Sequence, residues 1–287
     1  MTGTDGAPIG DALAAAVGAF EAAGIETPRL DAEVLLSGIS GLDRAALIAD
    51  PGAKLPPADS RAFSEAVRRR LSREPVAYIL GRKGFRRIEL AVDGRALIPR
   101  PETEQLVELA VERNPSTLLE VGVGSGAVSL AVADELPGCR ITATDTSVEA
   151  LKLAAENAGR LGLSDRVELL EGTVPAGEFD LILANLPYVA DRERLAPEIA
   201  EWEPRSAVFA GPTGYEAFES VLGQISGTAL RADAIGLEVG FGQGDRVAGL
   251  VREAGFPRVA IRDDLAGIGR VVVGLAQRAV GSPDPPG

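Results

Sequence analysis

From Ser116 onward, strand-like and helix-like runs alternate, and no other feature of the chain restricts its fold as strongly. The clearest strand-like runs are Ser116 to Val121, Arg140 to Thr144, Arg166 to Leu170, Asp180 to Ala184 and Ala234 to Val239. Helix-like runs fall at Glu104 to Glu112, Val128 to Glu135, Val148 to Leu161 and Gln243 to Ala254. Strands separated by a helix are joined by crossover connections and so run parallel, and a parallel sheet needs both faces covered. The alternation therefore predicts an α/β fold built on a mostly parallel sheet. In such sheets ligands bind beyond the carboxyl ends of the strands.

The first part of the chain follows another pattern. Leu13, Ala16, Val17 and Phe20 recur at three- and four-residue spacing, as do Leu30, Val34 and the neighbouring Leu35, and then Phe63, Val67 and Leu71. Each set makes one apolar stripe on a small helix, and Pro51, Pro56 and Pro57 interrupt the series. Residues 1–85 are thus expected to form a small N-terminal helical domain. Phe85 to Val92, then Asp93-Gly94, then Arg95 to Ile98 reads as strand, turn and strand, which places a linking β-hairpin over residues 86–98. Residues 99–278 remain for the sheet domain. Residues 279–287, ending Ser282-Pro283-Asp284-Pro285-Pro286-Gly287, are expected to be a flexible tail.

Composition removes several chemistries. The 287 residues, 46% hydrophobic and 25% charged, suffice for a full globular core. With no His and a single cysteine, Cys139, the usual zinc ligand sets are missing and so are Ser-His-Asp and Cys-His catalysis. No metal site is expected. A net charge of −13, from 42 acidic and 29 basic residues, argues against a broad phosphate-binding surface and hence against direct nucleic-acid binding. Met1-Thr2-Gly3-Thr4-Asp5 does not open like a secretory signal, and no apolar run reaches the ~20 residues that span a bilayer. A cytoplasmic location without membrane partners is the expectation.

Glu120-Val121-Gly122-Val123-Gly124-Ser125-Gly126 closes one strand-like run and opens a helix-like one. Its glycines allow close backbone approach, and N–H groups exposed at a helix start favour a ligand with polar or anionic groups. Asp145 ends the next strand, where a carboxylate can accept both hydroxyls of a ribose. Three readings stay open: a site for S-adenosylmethionine, a dinucleotide site, since Gly122 to Ala127 also satisfies G-x-G-x-x-G/A, and a purely structural tight turn. Glu120 favours the first, because a carboxylate there can meet an ammonium group and would repel a pyrophosphate.

Asn185-Leu186-Pro187-Tyr188 follows the apolar run Leu181-Ile182-Leu183-Ala184. Asn and Pro are common in ordinary turns. This position, however, is the carboxyl end of a predicted parallel strand, downstream of the glycine turn. Methylating a planar, amide-like nitrogen requires acceptors that draw its delocalised lone pair out of plane. An Asn side-chain oxygen and the carbonyl one residue on can accept the two N–H bonds, while a tyrosine ring offers a face for the substrate plane or a passing cation. No general base is obligatory, which suits a chain without His. The loop looks like the Asn-Pro-Pro-Tyr loop of enzymes that methylate such nitrogens, with Leu186 at the first proline.

The chain as a whole resembles the protein-(glutamine-N5) methyltransferases that modify peptide chain release factors. Thr27 to Glu33 looks like the family's early helix, Arg73 to Gly81 is similar to its pre-hairpin signature, and Leu97-Ile98-Pro99-Arg100-Pro101-Glu102-Thr103-Glu104 is the most specific match. Glu203-Pro204-Arg205 with Phe209-Ala210-Gly211, Glu238-Val239-Gly240, Asp264 to Gly267 and Arg270 to Gly274 complete the series. The resemblance implies a seven-stranded Rossmann-like catalytic domain, S-adenosylmethionine as cofactor, and a helical domain that helps hold the protein substrate. It also implies a release-factor Gly-Gly-Gln loop whose glutamine enters beside Asn185. Cofactor contacts are then expected from Glu120, Gly122, Val123, Gly124, Ser125, Gly126, Asp145 and Asn185. Substrate contacts are expected from Arg100, Asn185, Leu186, Pro187 and Tyr188, the last four forming the catalytic loop.

Departures from the family are Leu186, Gly172-Thr173-Val174 where Gly-Asp is usual, and Gly267-Ile268-Gly269. Leucine keeps the carbonyl but loses the fixed φ of proline, so a looser loop is expected. Related readings are methylation of a ribosomal-protein glutamine, N6-adenine methylation, and a cofactor-binding interaction protein without turnover.

Overall fold

The computed structural model describes residues 7–277, so the expected tail lies outside the described residues. The chain divides into two compact units.

The helical unit holds residues 7–82 together with Leu195–Trp202. Its helices are α1 (Ile9–Ala22), α2 (Pro28–Ser40), α3 (Arg44–Ala49), α4 (Pro57–Leu71) and α5 (Val76–Leu80). Proline at the first helical position starts α2 and α4, and Gly41 at φ 72° ends α2 in the left-handed conformation only glycine adopts readily. Phe20, Leu35, Leu36, Leu47 and Phe63 form the centre of the core. Leu30, expected on the apolar stripe, is exposed, because the buried side of α2 also carries charge. Glu33 is bound by Arg29 and Arg44, and Asp31 by Arg70. Arg68-Arg69-Arg70, which reads as one solvated basic face, is divided. Arg68 is exposed, Arg69 pairs with Glu74, and Arg70 is buried between Asp31 and Glu198, each 2.7 Å away. Glu198 lies on α9 (Pro197–Ala200), so a segment far along the chain completes this unit.

The larger unit comprises Lys83–Arg194 and residues 203–277. Two short strands, β1 (Arg82–Phe85) and β2 (Ile88–Ala91), pair with a turn at Arg86-Arg87, where Arg86 has φ 51°. The hairpin is thus shifted from the Asp93-Gly94 turn that the sequence suggested. Asp93 instead accepts from its neighbour Arg95 through both backbone and guanidinium, and the segment that follows is irregular.

Helix α6 (Glu104–Arg113) leads into the main sheet: β3 (Thr117–Val121), α7 (Ala127–Glu135), β4 (Arg140–Asp145), α8 (Val148–Leu161), β5 (Val167–Glu171) and β6 (Glu178–Ala184). The chain continues through β7 (Val189–Ala190), α10 (Arg205–Val208), β8 (Phe209–Gly211), α11 (Glu216–Gly227), β9 (Arg231–Glu238), α12 (Gly244–Glu253), β10 (Arg258–Asp263) and β11 (Gly269–Leu275). The seven-stranded sheet has the order β10-β11-β9-β6-β3-β4-β5, parallel except where β11 runs against both β9 and β10. Alternate residues serve opposite faces. Leu119, Ile182, Ile235 and Val272 pack with Phe218, Val221, Val247 and Val251 of α11 and α12. On the other face a Cβ at Gly236 would lie 2.5 Å from Leu109 of α6, which explains the glycine.

From β3 the chain winds outward through β4 and β5, then returns to β6 on the other side of β3. The carboxyl ends of β3 and β6 therefore flank the reversal point of the winding, the crevice where open α/β sheets bind ligands. Val121 and Ala184 are register partners, so the glycine turn and the Asn185 loop emerge side by side.

Candidate active site

A cavity of about 280 Å³ opens at this crevice, lined entirely by residues of the larger unit. Of the residues expected to bind cofactor, Glu120, Gly122, Val123, Gly124, Ser125, Asp145 and Asn185 line it. Gly126 does not line it; at φ 88° it starts α7, and a Cβ there would lie 2.7 Å from the Leu130 side chain.

Four amides of the turn are bonded within the protein, while Ser125, Ala127 and Val128, at the start of α7, line the cavity. Gly122 and Val123 N–H donate to the Thr144 carbonyl at 2.8 and 2.9 Å, Gly126 N–H to the Val123 carbonyl at 2.8 Å, and Gly124 N–H to Asp145 Oδ2 at 3.0 Å. The carboxylates of Glu120 and Asp145 on the cavity wall would repel a diphosphate, an arrangement that disfavours a dinucleotide. Asp145 Oδ1 accepts from the N–H of Ser147, whose hydroxyl caps α8 by accepting from Ala150 N–H. Buried Asn157 of α8 binds the backbone of Ala91 on both sides and the Ser125 carbonyl, tying β2 to the turn.

Glu120 is 2% exposed, and its Oε2 accepts both N–H and O–H of Ser129 on α7. Burial pushes its carboxyl up to about 8 against the pull of those bonds, with a smaller push from Asp145. A carboxyl held this high beside a cavity is suited to a cationic ligand group, which would restore its ionised form. Gly172 and Thr173, with Ala217, Ser220 and Val221 of α11, line another part of the cavity. Thr173 bonds Gln224 there, so an Asp is not required to organise the segment.

Asn185, Leu186 and Pro187 line the cavity; Tyr188 does not. Asn185 Nδ2 donates to Thr103 Oγ1 at 3.0 Å, while its Oδ1 accepts no hydrogen bond from any described residue. Glu238, at the end of β9, is buried, and its Oε2 has no hydrogen-bond partner among the described residues. Leu186 corrects the expectation of a looser loop: its side chain is 6% exposed and joins the core cluster containing Val121, Phe218 and Val239. Burial of a leucine side chain contributes roughly 1.5–3 kcal/mol, so packing replaces the backbone restriction a proline would impose. Tyr188 is held from behind, its carbonyl accepting from Gln243 Nε2 at 2.9 Å and its ring lying against Gly240. A Cβ on Gly214 would come within 2.6 Å of that carbonyl, so only glycine fits there. Burial raises the Tyr188 phenol to about 12.

Arg100 does not line the cavity. It pairs with buried Glu203, whose second oxygen accepts the Ile98 N–H at 3.1 Å, and this bracing holds the strand of chain that carries cavity residues Leu97 and Pro99. Sequence reasoning assigned no role to Thr103, Asn157, Gln243 or Glu238. Thr103 and Glu238 stand inside motifs that carry the resemblance, but the partner of Thr103 becomes visible only when the Asn185 loop meets the start of α6. Among the described residues no cluster of acidic or cysteine side chains is placed to hold a metal ion.

Residues 11–81 match the PrmC N-terminal domain family and residues 118–202 a methyltransferase domain family. The release factor glutamine methyltransferase of Cereibacter sphaeroides is 39% identical over 91% of this chain and 96% of its own. The chain belongs to the release factor glutamine methyltransferase family. The Caulobacter vibrioides member is 36% identical over 88% of this chain and 91% of its own, and the Geobacter sulfurreducens member 38% over 88% and 90%. Release factor glutamine methyltransferases thus match both units rather than the sheet alone. Among solved structures, the hMettl16 catalytic domain bound to a MAT2A 3′UTR hairpin superposes with TM-score 0.53 over 80% of this chain and 84% of its own, at 15% identity, a likeness of fold only.

Proposed function

We propose that this chain transfers a methyl group from S-adenosylmethionine to the side-chain amide nitrogen of a glutamine in a peptide chain release factor, within its Gly-Gly-Gln loop. One observation carries the reading. Asn185, at the carboxyl end of β6, has its amide nitrogen committed to Thr103 and lines the cavity that also holds the glycine turn.

The residues present fit the cofactor. Glu120 offers a buried carboxylate for its ammonium, Asp145 keeps acceptor capacity for ribose hydroxyls, and Gly122 and Gly124 leave room that a side chain would take. When bound, the cofactor supplies an electrophilic methyl group. Asn185 Oδ1 and the Leu186 carbonyl accept the two amide N–H bonds of the substrate glutamine, hold its plane and stabilise the positive charge that develops on nitrogen. Packing of Leu186 and the clamp on Tyr188 fix these acceptors before substrate arrives, so little reorganisation is left to the reaction. The methylated amide nitrogen is acidic enough to lose its proton to water, and the chain needs no histidine.

The helical unit assists in holding the protein substrate. The net charge of −13 favours a protein acceptor over nucleic acid, and among the described residues no helix is long and apolar enough to cross a membrane. Both are compatible with action in the cytoplasm.

The test is incubation with methyl-labelled cofactor and intact release factors, followed by peptide mapping. Label on the Gly-Gly-Gln glutamine is the expected result. Label on a ribosomal protein or an adenine, or cofactor binding without transfer, would replace the reading.

A further inference from the structure

The strand order of the sheet lays the cavity out from one end to the other. Glu120 is on β3, Asp145 ends β4, and Gly172 and Thr173 follow β5; in the sheet these three strands are neighbours in that order. With the cofactor ammonium at Glu120 and its ribose at Asp145, the adenine falls beside the end of β5. The wall there is made by Gly172 and Thr173 together with Ala217, Ser220 and Val221 of α11. Ala217 and Val221 supply apolar surface for a flat ring, and Thr173 and Ser220 supply hydroxyls.

This wall is fixed before any ligand arrives. Gly172 N–H donates to the Asp145 carbonyl at 2.9 Å, and the Thr144 hydroxyl donates to the Thr173 carbonyl at 2.6 Å. Thr173 Oγ1 donates to Gln224 Oε1, while Gln224 Nε2 donates to Ser220 Oγ at 3.3 Å. Gln224 does not line the cavity. A residue outside the wall thus bonds both hydroxyls that belong to it.

We propose that Thr173 and Ser220 read the amino edge of the adenine ring, Thr173 accepting from the 6-amino group and Ser220 donating to the adjacent ring nitrogen, with Gln224 as the positioning residue that sets their polarity. The inference rests on the cofactor reading given above.

A threonine hydroxyl has one proton and two lone pairs. Gln224 Oε1 takes the proton of Thr173, so toward a ligand Thr173 Oγ1 can only accept. At Ser220 the Gln224 amide occupies a lone pair, and the hydroxyl proton stays available. One wall therefore offers an acceptor and a donor. The amino edge of adenine carries the complement, an amino N–H beside the lone pair of N1. Hypoxanthine carries the reverse, a carbonyl beside an N1–H. Ser220 can rotate its proton away and accept from that N1–H, but Thr173 would meet the carbonyl lone pair against lone pair, leaving both without a donor. Discrimination between the two bases lies with Thr173 and, through it, with Gln224. The segment that departs from the family pattern at Gly172-Thr173-Val174 keeps a selective contact of its own.

The experiment is calorimetric titration of the intact protein with S-adenosylhomocysteine and with S-inosylhomocysteine, for wild type, Thr173→Val, Ser220→Ala, Gln224→Leu and Gln224→Glu. Wild type should bind the adenine compound about tenfold or more tightly than the hypoxanthine compound. Thr173→Val should weaken the adenine compound and bring the two affinities within about threefold of each other. Ser220→Ala should weaken the adenine compound by roughly three- to tenfold. Gln224→Leu leaves the Thr173 proton free to turn to the carbonyl, so it should narrow the ratio by raising affinity for the hypoxanthine compound, a gain that mere loosening of the wall would not produce. Gln224→Glu, which still accepts that proton, should keep most of the wild-type preference. A wild-type ratio near one, or a ratio unchanged in both Thr173→Val and Gln224→Leu, overturns the proposal. Should Thr173→Val not fold, Gln224→Leu decides alone. Binding of neither compound by wild type would sink the cofactor reading together with the proposal, whereas tight binding of the adenine compound with an unchanged ratio in the variants removes only the proposal.

Discussion

Cofactor binding should be coupled to proton release at Glu120. In the free protein this carboxyl stands at about 8 because it is buried, so near pH 6.5 it is almost fully protonated. A ligand ammonium in contact with it requires the ionised form, and the proton must leave on binding. An α-amino group of pKa ≈ 7.7–8.0 is itself nearly all protonated at that pH, so net release should be about 0.9 proton per site. The sign follows: affinity falls as pH falls below 8, by about tenfold between pH 7 and 6, and falls again above 8 as the ligand loses its own charge. Calorimetric titration at pH 6.5 in buffers of different ionisation enthalpy reads the proton count directly. Glu120→Gln keeps the size and the contact with Ser129, and it should bind without proton release and without the slope between pH 6 and 7. Affinity flat across that interval in the wild type, or no buffer dependence at pH 6.5, would refute the assignment of Glu120 to the ammonium.

Asp145→Ala should weaken S-adenosylmethionine binding without creating affinity for NAD, checked by the same titrations, because it removes an acceptor and frees the Gly124 and Ser147 amides. Leu186→Ala should lower stability by about 2–5 kcal/mol in denaturant unfolding and, if the proposed role of the Asn185–Tyr188 loop holds, reduce turnover as well, since the side chain anchors that loop in the core. Cys139, 1% exposed and with its thiol raised by burial to about 11, should resist alkylation at pH 8 in the native protein and react once unfolded, as mass spectrometry would record.

The fold class was open to sequence reading because each strand of the parallel sheet is a continuous apolar run followed by a helix with its own periodicity; Val148–Leu161 matches the expected helix residue for residue. The hairpin was misplaced because Asp93-Gly94 has the composition of a two-residue turn, whereas the actual turn places Arg86 in the left-handed region, which no pattern rule anticipates. That Glu120, Asp145 and Asn185 would meet around one crevice was legible, since each sits at or beside a strand end. Thr103 and Gln243 were not, because their significance depends on partners brought together by the fold. Leu186 looked like a missing constraint, and only the core cluster reveals what the leucine contributes instead. Arg70 is the same lesson in the helical unit: a run of three arginines gives no sign that one is buried between two acids.

That buried arginine has a consequence for how the chain is made. Glu198 emerges from the ribosome long after Asp31 and Arg70, so while the intervening residues are being synthesised the N-terminal helices hold a guanidinium with only one of its two acidic partners. Domains generally fold from the N-terminus as they are synthesised, but this one cannot finish until Leu195–Trp202 has returned to it. By then most of the parallel sheet has also been translated, so closing of the helical unit waits for strands β3 to β6, which lie between its two parts along the chain.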